Sequence, residues 1–194
     1  GDFDGQIRRP HVSIVCNFTK PVGTKPSLLT YDEVRTVFHE FGHALHGILS
    51  NCRHRSLSGP NVYWDFVELP SQIMENWVNE KDSLDLYAHH YETNQLIPKE
   101  LVDKLIQSQK YLAGWQSLRQ VQLGTLDMTW HMADPETITD VSQFEDAAVS
   151  DCRLTPKVEG TNISCSFSHI FAGGYSAGYY SYKWAEVLDA DAFE

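Results

Sequence analysis

The clearest pattern along the chain is a helical one that begins near residue 30. Thr30 stands three residues before Glu33, which is the spacing of a capping box at a helix start. Apolar side chains then recur every three or four residues until Ser50, and side chains at that spacing share one face of a helix. The pattern therefore predicts a capped helix over residues 31–50 with an apolar core face. The apolar positions are Val34, Phe38, Phe41, Leu45 and Ile48.

The rest of the pattern predicts more helices and one strand. Residues 10–18 are rich in β-branched side chains and predict a strand that is followed by a loop. Pro70 suits the first turn of a second helix, and Pro98 suits the start of a long third one. Since no repeat or linker is visible, we predict one domain that is mainly α with a small β element. The second helix is predicted to start between residues 65 and 70 and to end near residue 79. The other helices are predicted over residues 98–130 and 175–193, with a short one capped by Ser142 and Glu145.

Composition and charge narrow the classes of function. The chain has 194 residues, of which 42% are hydrophobic and 21% charged, as in folded globular domains. It carries 26 acidic against 15 basic residues, a formal net charge of −11, and this charge would repel nucleic acid. The sequence contains no apolar run as long as a membrane span. We therefore expect neither a nucleic-acid partner nor a membrane partner.

The cysteines and the chain ends bear on the compartment and on completeness. No two cysteines form a C-x-x-C pair, so we expect free thiols in a reducing compartment, and hence a cytoplasmic protein. The chain begins without Met and stops within a helical pattern, so we expect a piece of a longer protein. The cysteines are Cys16, Cys52, Cys152 and Cys165.

The strongest chemical signal is the segment His39-Glu40-Phe41-Gly42-His43. Residues four apart share a helix face, so His39 and His43 can bind one metal ion. Zinc accepts two such nitrogens, and Glu40 lies at the edge of the same face, where its carboxylate can take a proton from a water. The apolar stripe lies on the other side of this helix, so a different element must cover the histidines. The alternative is a solvated polar helix face.

The third ligand would decide between these two interpretations, because a catalytic zinc site takes three protein ligands and a water. Glu68 is the best candidate, 25 residues after His43 at the start of the next predicted helix. A glutamate near a helix start can also be there for the helix dipole alone. His46, three residues after His43, is the alternative ligand. The remaining histidines considered, each expected on the surface or packed in the fold, are His54, His89, His90 and His131.

A second segment of interest follows the glycine pair Gly173-Gly174. Tyr175, Tyr179 and Tyr182 come next at i, i+4 and i+7, which predicts that they share one face of the last helix. Such a stripe is ordinarily a packing surface, and spacing alone favours that interpretation. The alternative is that a phenol donates a hydrogen bond to the oxyanion of a tetrahedral intermediate.

Three segments of the chain match one known family in the same order. They are His39–His46, which reads HEFGHALH, Phe66–Trp77, which reads FVELPSQIMENW, and residues 167–184. The chain resembles the thimet-oligopeptidase family of zinc peptidases, which includes oligopeptidase A and the bacterial dipeptidyl carboxypeptidases. The similarity extends over most of the chain. It implies a zincin-type fold, with residues 1–194 as part of one peptidase catalytic domain.

The resemblance also implies the cofactor and the reaction. His39, His43 and Glu68 match the family's zinc ligands, one ion per chain, and Glu40 matches its general base. Zinc lowers the pKa of a bound water and polarises the carbonyl. Glu40 would take the proton of that water and pass it to the leaving amine. The implied reaction is the hydrolysis of peptide bonds in short peptides.

Residues of the last segment would face the substrate. His169 and Tyr179 match substrate-binding residues of the family. Tyr175 and Tyr182 match the tyrosines that stabilise the tetrahedral intermediate.

Two alternatives accompany the resemblance. Family members are several times longer and enclose the site between two largely helical halves, so we expect most of one half and some C-terminal sequence to be missing. A zinc-stabilised, non-catalytic peptide-binding module or an inactive fragment is the alternative to an enzyme, although a structural zinc site has no need of a base such as Glu40. Endo-oligopeptidase and dipeptidyl carboxypeptidase activity both fit, and Arg55–Asn61 looks closer to the latter group.

Overall fold

The protein, described here by a computed structural model over residues 2–3 and 6–193, is mostly helical. The predicted fold class, mainly α with a small β element, is confirmed. No helix among the described residues combines the length and the hydropathy that a membrane span requires. The helices are α1 (Tyr31–Leu49), α2 (Trp64–Val67), α3 (Leu69–Glu75), α4 (Lys81–Tyr87), α5 (Lys99–Gln109), α6 (Ala113–Met132), α7 (Val141–Ala148) and α8 (Ser181–Phe193).

The chain divides into two compact units. The first consists of Gly1–Lys110 and Ala185–Glu194, and the second consists of Tyr111–Trp184. Each unit has buried apolar side chains of its own, such as Val78 in the first and Leu126 in the second. That the whole chain is part of one domain stays a prediction.

The paired strands of the described chain lie at its start. β1 (Asp2–Phe3) pairs antiparallel with β2 (Gln6–Ile7). The strand predicted at residues 10–18 is wrong, because within the described chain this segment pairs with no other strand. Its β-branched side chains have no sheet to pack on, and Val12 instead lies over Gly47 of α1.

Helix α1 begins where the capping box predicts. The Thr30 hydroxyl accepts the N–H of Glu33 at 3.3 Å, and Glu33 Oε2 accepts the N–H of Thr30 at 2.8 Å. Glu33 Oε1 also accepts the hydroxyl and the N–H of Thr19, at 2.7 and 2.6 Å. These hydrogen bonds, the one from the Thr19 hydroxyl first, lower the pKa of Glu33 to about 2. The start of α1 is therefore fixed, and with it the direction in which each later side chain points.

The buried face of α1 is not its apolar stripe. Its buried residues are Gly42, Ala44 and Gly47, which are all small. Phe41 and Ile48 are 46% and 43% exposed, so the core face predicted from the stripe is wrong at these two positions. The helix packs by its small residues because they allow a neighbouring backbone to come close.

The long helix predicted over residues 98–130 is in fact two helices, α5 and α6. Leu112 between them has a φ of +55°, in the left-handed region, so the hydrogen bonding of one continuous helix stops there. The sequence has neither Gly nor Pro at residues 110–112, and the pattern therefore does not show the break. Helix α6 ends at Met132, close to the predicted end at residue 130, and Asp134 and Pro135 follow it.

The short helix predicted from Ser142 and Glu145 is α7, but its cap is different. Asp140 is the N-cap, and its carboxylate accepts a backbone N–H of the first turn at 2.9 Å. Glu145 is buried and accepts the N–H groups of Ile163 and Ser164 at 2.9 and 2.7 Å. The capping prediction is wrong because this carboxylate stabilises a distant loop instead of its own helix start.

Candidate functional site

The three side chains predicted to bind a metal lie together in the first unit. His39 and His43, one turn apart on α1, have ring centroids 5.0 Å apart and nearly perpendicular planes. Glu68 Oε2 lies 3.4 Å from Nε2 of His39 and 3.3 Å from Nε2 of His43. One ligand atom from each residue lies within 4.8 Å of the others. In the described part of the chain, this is the one group of three histidine, cysteine or carboxylate side chains that converges closely enough to hold a metal ion.

The close approach of α3 to α1 brings Glu68 to the histidines. A Cβ at Gly42 would lie 2.2 Å from the carbonyl oxygen of Pro70 and 2.6 Å from Cα of Ser71, so only glycine fits there. The helix predicted to start between residues 65 and 70 corresponds to α3, which the short helix α2 precedes, and Glu68 lies between the two. The Ser71 hydroxyl lies 2.8 Å from both Oε2 and the carbonyl oxygen of Glu68. This contact orients the Glu68 carboxylate.

Glu75 is a candidate for orienting His39, and the sequence pattern did not single it out. Its Oε1 lies 2.6 Å from Nδ1 of His39, and its Oε2 lies 2.5 Å from the Arg35 guanidinium. A carboxylate that accepts the Nδ1–H of histidine leaves Nε2 as the lone-pair donor that a metal requires. Burial alone would lower the pKa of His39, but Glu75 and the other nearby carboxylates raise it overall. The available signal was position, because Glu75 lies seven residues, or two helical turns, after Glu68.

Glu40 lies beside this cluster, whereas His46 packs on another side chain and does not belong to it. Glu40 is half-buried next to His39, and its charge contributes to the raised pKa of that histidine. The His46 ring packs on Phe66, with centroids 6.3 Å apart, and burial lowers its pKa. The cluster of three contains Glu68 and does not contain His46.

The cluster fits a zinc ion in the chemistry and the spacing of its donors. Two imidazole nitrogens face the carboxylate of Glu68, which is only 2% exposed, and such a set of acceptors needs a cation or a proton among them. Two atoms that each bind a tetrahedral zinc at about 2.05 Å lie about 3.3 Å from one another. The separations of 3.3 and 3.4 Å between Glu68 and the two histidines match that value.

The predicted tyrosines lie in the second unit and are only partly helical. Helix α8 begins at Ser181, so the predicted helix start at Tyr175 is wrong by six residues. The rings nevertheless cluster. The centroid of Tyr182 lies 5.1 Å from that of Tyr175 and 5.0 Å from that of Tyr179. The His169 ring lies 5.9 Å from Tyr175 and 6.0 Å from Tyr179.

Helix α8 starts late because the preceding backbone makes other hydrogen bonds. The N–H groups of Ala177 and Tyr179 each donate to the carboxylate of Asp127 at 2.9 Å. Ala177 has a φ of +53°, and the N–H of Tyr175 donates to the carbonyl of His169 at 3.0 Å. Since Asp127 is 50 and 52 residues away along the chain, helical spacing does not reveal these contacts.

The tyrosines also differ in burial. Tyr179 belongs to the apolar cluster that includes Leu123 and Ile170, and burial raises its pKa. The packing interpretation of the tyrosine stripe therefore applies to Tyr179. Tyr175 and Tyr182 pack against this cluster and stay partly exposed.

Comparison with known proteins assigns the chain to a family. The family model described as peptidase family M3 matches residues 1–194. The chain belongs to peptidase family M3. The membership expected from the three matching segments is thereby confirmed, as is a zincin-type fragment.

Curated relatives of this M3 chain include two kinds of peptidase. The organellar oligopeptidase A (chloroplastic/mitochondrial) of Arabidopsis thaliana is 49% identical over 192 residues, which cover 96% of this chain and 24% of the relative. Oligopeptidase A of Escherichia coli (strain K12) is 44% identical over 199 residues, covering 98% and 28%. Dipeptidyl carboxypeptidase of the same organism is 40% identical over 187 residues, covering 95% and 28%. The M3 chain thus spans about a quarter of the length of the relatives it matches.

Proposed function

We propose that this chain carries the metal-binding part of a zinc-dependent enzyme that hydrolyses peptide bonds in short peptides. The observation that carries the proposal is the convergence of His39, His43 and Glu68, with Glu40 beside them. Membership in a peptidase family supports the same reaction. Since the chain spans about a quarter of its relatives, the activity is proposed for the full-length protein.

The three clustered side chains would bind one zinc ion, and Ser71 and Glu75 orient two of them. Bound zinc supplies a Lewis acid that polarises the scissile carbonyl and acidifies water. A Glu40 carboxylate oxygen accepts a proton from the water that attacks the carbonyl carbon. Glu40 then donates this proton to the nitrogen of the leaving amine as the C–N bond breaks, and the carboxylate is restored.

The second unit is proposed to supply residues that face the substrate. By resemblance to the family, Tyr175 or Tyr182 donates a phenol hydrogen bond to the oxyanion, and His169 and Tyr179 bind substrate. The stacking of Tyr175 on Tyr182 supports the first role, because a donor that is already oriented needs little reorganisation in the transition state.

Short peptides are the proposed partners, and a reducing compartment such as the cytoplasm is the proposed location. The formal net charge of −11 supports the absence of a nucleic-acid partner. All four cysteines are free, which supports a reducing environment.

The mode of cleavage has two candidates. The sequence identities of 44% and 49% to enzymes named oligopeptidase A favour internal cleavage. The sequence identity to a dipeptidyl carboxypeptidase is only slightly lower, at 40%. The similarity of Arg55–Asn61 to the dipeptidyl carboxypeptidases favours the release of dipeptides from the C-terminus. One peptide with a free C-terminus and the same peptide amidated would separate the two. A dipeptidyl carboxypeptidase would release dipeptides from the free form and lose activity on the amide, whereas an endopeptidase would cut both.

The decisive experiment measures zinc content and turnover of a short peptide in the full-length protein and its Glu40→Gln variant. We expect one zinc per chain in both, with nearly all turnover lost in the variant. The control is Glu159→Gln, an exposed glutamate outside the cluster, which should keep both. Turnover at the wild-type rate in Glu40→Gln would contradict the mechanism. Zinc without turnover in the wild type would instead indicate a non-catalytic peptide-binding module.

A further inference from the structure

Asp127 is a buried carboxylate to which the proposed chemistry assigns no role. It lies on α6 and is 0% exposed. Its Oδ1 accepts the N–H of Ala177 and its Oδ2 accepts the N–H of Tyr179, each at 2.9 Å. His131, one turn further on α6, has Nδ1 at 2.9 Å from Oδ1. Both oxygens are therefore engaged, and two of the three contacts go to one short backbone segment.

The contacts of Asp127 stabilise a backbone conformation that is costly by itself. Ala177 has a φ of +53°, which a residue with a Cβ adopts only when its surroundings require it. Removing a carboxylate from water is also costly unless its oxygens accept hydrogen bonds, and bonds to a charged acceptor are stronger than neutral ones. Each cost is offset by the same two hydrogen bonds, so the carboxylate and the segment depend on each other.

The segment that Asp127 binds is the one that carries the tyrosines. Tyr175 lies two residues before Ala177, and the N–H of Tyr182 donates to the carbonyl of Tyr179 at 3.4 Å as α8 begins. At the N-terminal end of the segment, the Ser176 hydroxyl donates to the carbonyl oxygen of Ile170 at 2.7 Å. A displacement of the backbone at residues 177–179 would therefore move the phenols on both sides of it.

We propose that Asp127 is a positioning residue for the tyrosine pair, a role that rests on the proposed function. Its carboxylate fixes the backbone of residues 175–180, so that the phenols of Tyr175 and Tyr182 are oriented before substrate binds. Asp127 is not one of the three residues whose ligand atoms converge as a metal site would require. Its effect on the reaction passes through the two tyrosines, and a small displacement of such a donor is enough to slow catalysis.

Glu145 provides a matched control within the same unit. It too is a buried carboxylate, and it accepts two consecutive backbone N–H groups, those of Ile163 and Ser164. That loop carries none of the clustered tyrosines. A purely structural role would make the Asp127→Asn and Glu145→Gln variants alike in activity, whereas a positioning role separates them.

The first experiment compares kcat and KM of these two variants in the full-length protein, at a temperature where both are folded. Asparagine has one acceptor oxygen and a donor amide, so Asp127→Asn turns one of the two backbone contacts into donor against donor. We expect kcat to fall about 10- to 100-fold in Asp127→Asn, with KM and zinc content little changed. Glu145→Gln should keep kcat. Equal kcat in both variants would overturn the proposal.

The second experiment tests whether Asp127 acts through a tyrosine. In a double-mutant cycle, Asp127→Asn should change kcat by less than about threefold when Tyr182 or Tyr175 is already phenylalanine, because the donor that it positions is gone. A full additional loss in both backgrounds would mean that Asp127 acts by another route and would contradict the proposal.

Amide hydrogen exchange separates a failure of this proposal from a failure of the proposed function. The N–H groups of Ala177 and Tyr179 should be protected in the wild type as strongly as those of α6, and Asp127→Asn should expose them to exchange. Neither measurement depends on peptidase activity. The measurement on the wild type also does not require that the variant folds. Exchange at the rate of an open loop in the wild type would overturn the role of Asp127. A protected segment in a protein without turnover would overturn the proposed function instead.

Discussion

The two groups of candidate side chains are built by different physical means. In the first unit, His39 and His43 are related by one turn of a capped helix, and the relation follows from local geometry alone. In the second unit, Tyr175 and Tyr179 precede the helix and are placed by a turn whose N–H groups bind Asp127. The position of Glu68 beside the two histidines depends on the close packing of α3 on α1, and the position of the tyrosines depends on a carboxylate far along the chain. Substitutions that disturb one should therefore leave the other intact.

Among the substitutions that test this comparison, the largest effect is expected for Tyr182→Phe in the full-length protein. Losing one donor to the oxyanion should lower kcat about 100- to 1,000-fold, equivalent to about 2.7–4 kcal/mol, with little change in KM. Steady-state kinetics on a short peptide would measure it, and Tyr111→Phe, at an exposed tyrosine, is the control. An effect confined to KM would make Tyr182 a binding residue and would remove the tyrosine pair from the comparison.

The next effect concerns helix packing in the first unit. Gly42→Ala would place a Cβ 2.2 Å from the carbonyl oxygen of Pro70 and force α3 away from α1. We expect a loss of about 2–3 kcal/mol of stability, even after the gain in helix propensity, together with weaker zinc binding. Thermal unfolding and zinc titration would measure both.

The control for that substitution is Gly114→Ala on α6, where a Cβ would meet nothing within 4 Å. It should be neutral or slightly stabilising. Unchanged zinc affinity in Gly42→Ala would show that the separation of the two helices does not determine the position of Glu68.

A smaller effect is expected at Glu75. Glu75→Gln removes the carboxylate that binds Nδ1 of His39, and loss of such an outer partner typically weakens metal affinity about 10- to 100-fold. Competition with a chelator would measure the change, with the exposed Glu80→Gln as the control. The tyrosine segment should keep its amide protection in this variant, and loss of protection there would contradict the independence of the two groups.

The smallest effect is a pH dependence in the second unit. Burial alone would raise the pKa of Glu145, but hydrogen bonds from Ser164 and Ile163 and the charge of Lys157 together lower it below the ordinary value of 4.5. A carboxyl with a lowered folded pKa stabilises the fold above its unfolded pKa, and this contribution is lost as pH falls through the folded pKa. Glu145→Gln should cost about 1 kcal/mol at neutral pH and flatten the stability curve below about pH 4.5. A variant with an unchanged acid limb would contradict this.

Local signals predicted much of the first unit and less of the second. The capping box at Thr30 placed α1 correctly, and the spacing of His39 and His43 then followed. The signal for Glu75 was present as a two-turn spacing from Glu68 but is shared with many surface glutamates. The signal for Asp127 was a carboxylate one turn after Leu123 on an apolar helix face, and its partners could not be inferred because they lie far along the chain.

The wrong predictions have related causes. The β-branched composition of residues 10–18 predicted a strand. A strand also needs a neighbouring strand to pair with, and composition does not show whether one is present. The break at Leu112 and the late start of α8 both involve a non-glycine residue with a positive φ, Leu112 in one case and Ala177 in the other, and the residue type does not indicate that conformation. In each case tertiary context overrides local preference.

The sequence by itself determined the helical class, the histidine pair, the candidate base Glu40 and the resemblance to a peptidase family, because these depend on order and spacing. Spacing left both Glu68 and His46 open as the third member of the histidine group, the resemblance favoured Glu68, and the tertiary structure brings Glu68 and not His46 to the histidines. Only the tertiary structure decided that the tyrosines cluster without sharing a helix. The physical reason is that periodicity specifies the direction of a side chain only within one element. Distances between elements depend on where a backbone can approach closely, as at Gly42, and on where a buried charge finds its hydrogen bonds, as at Asp127.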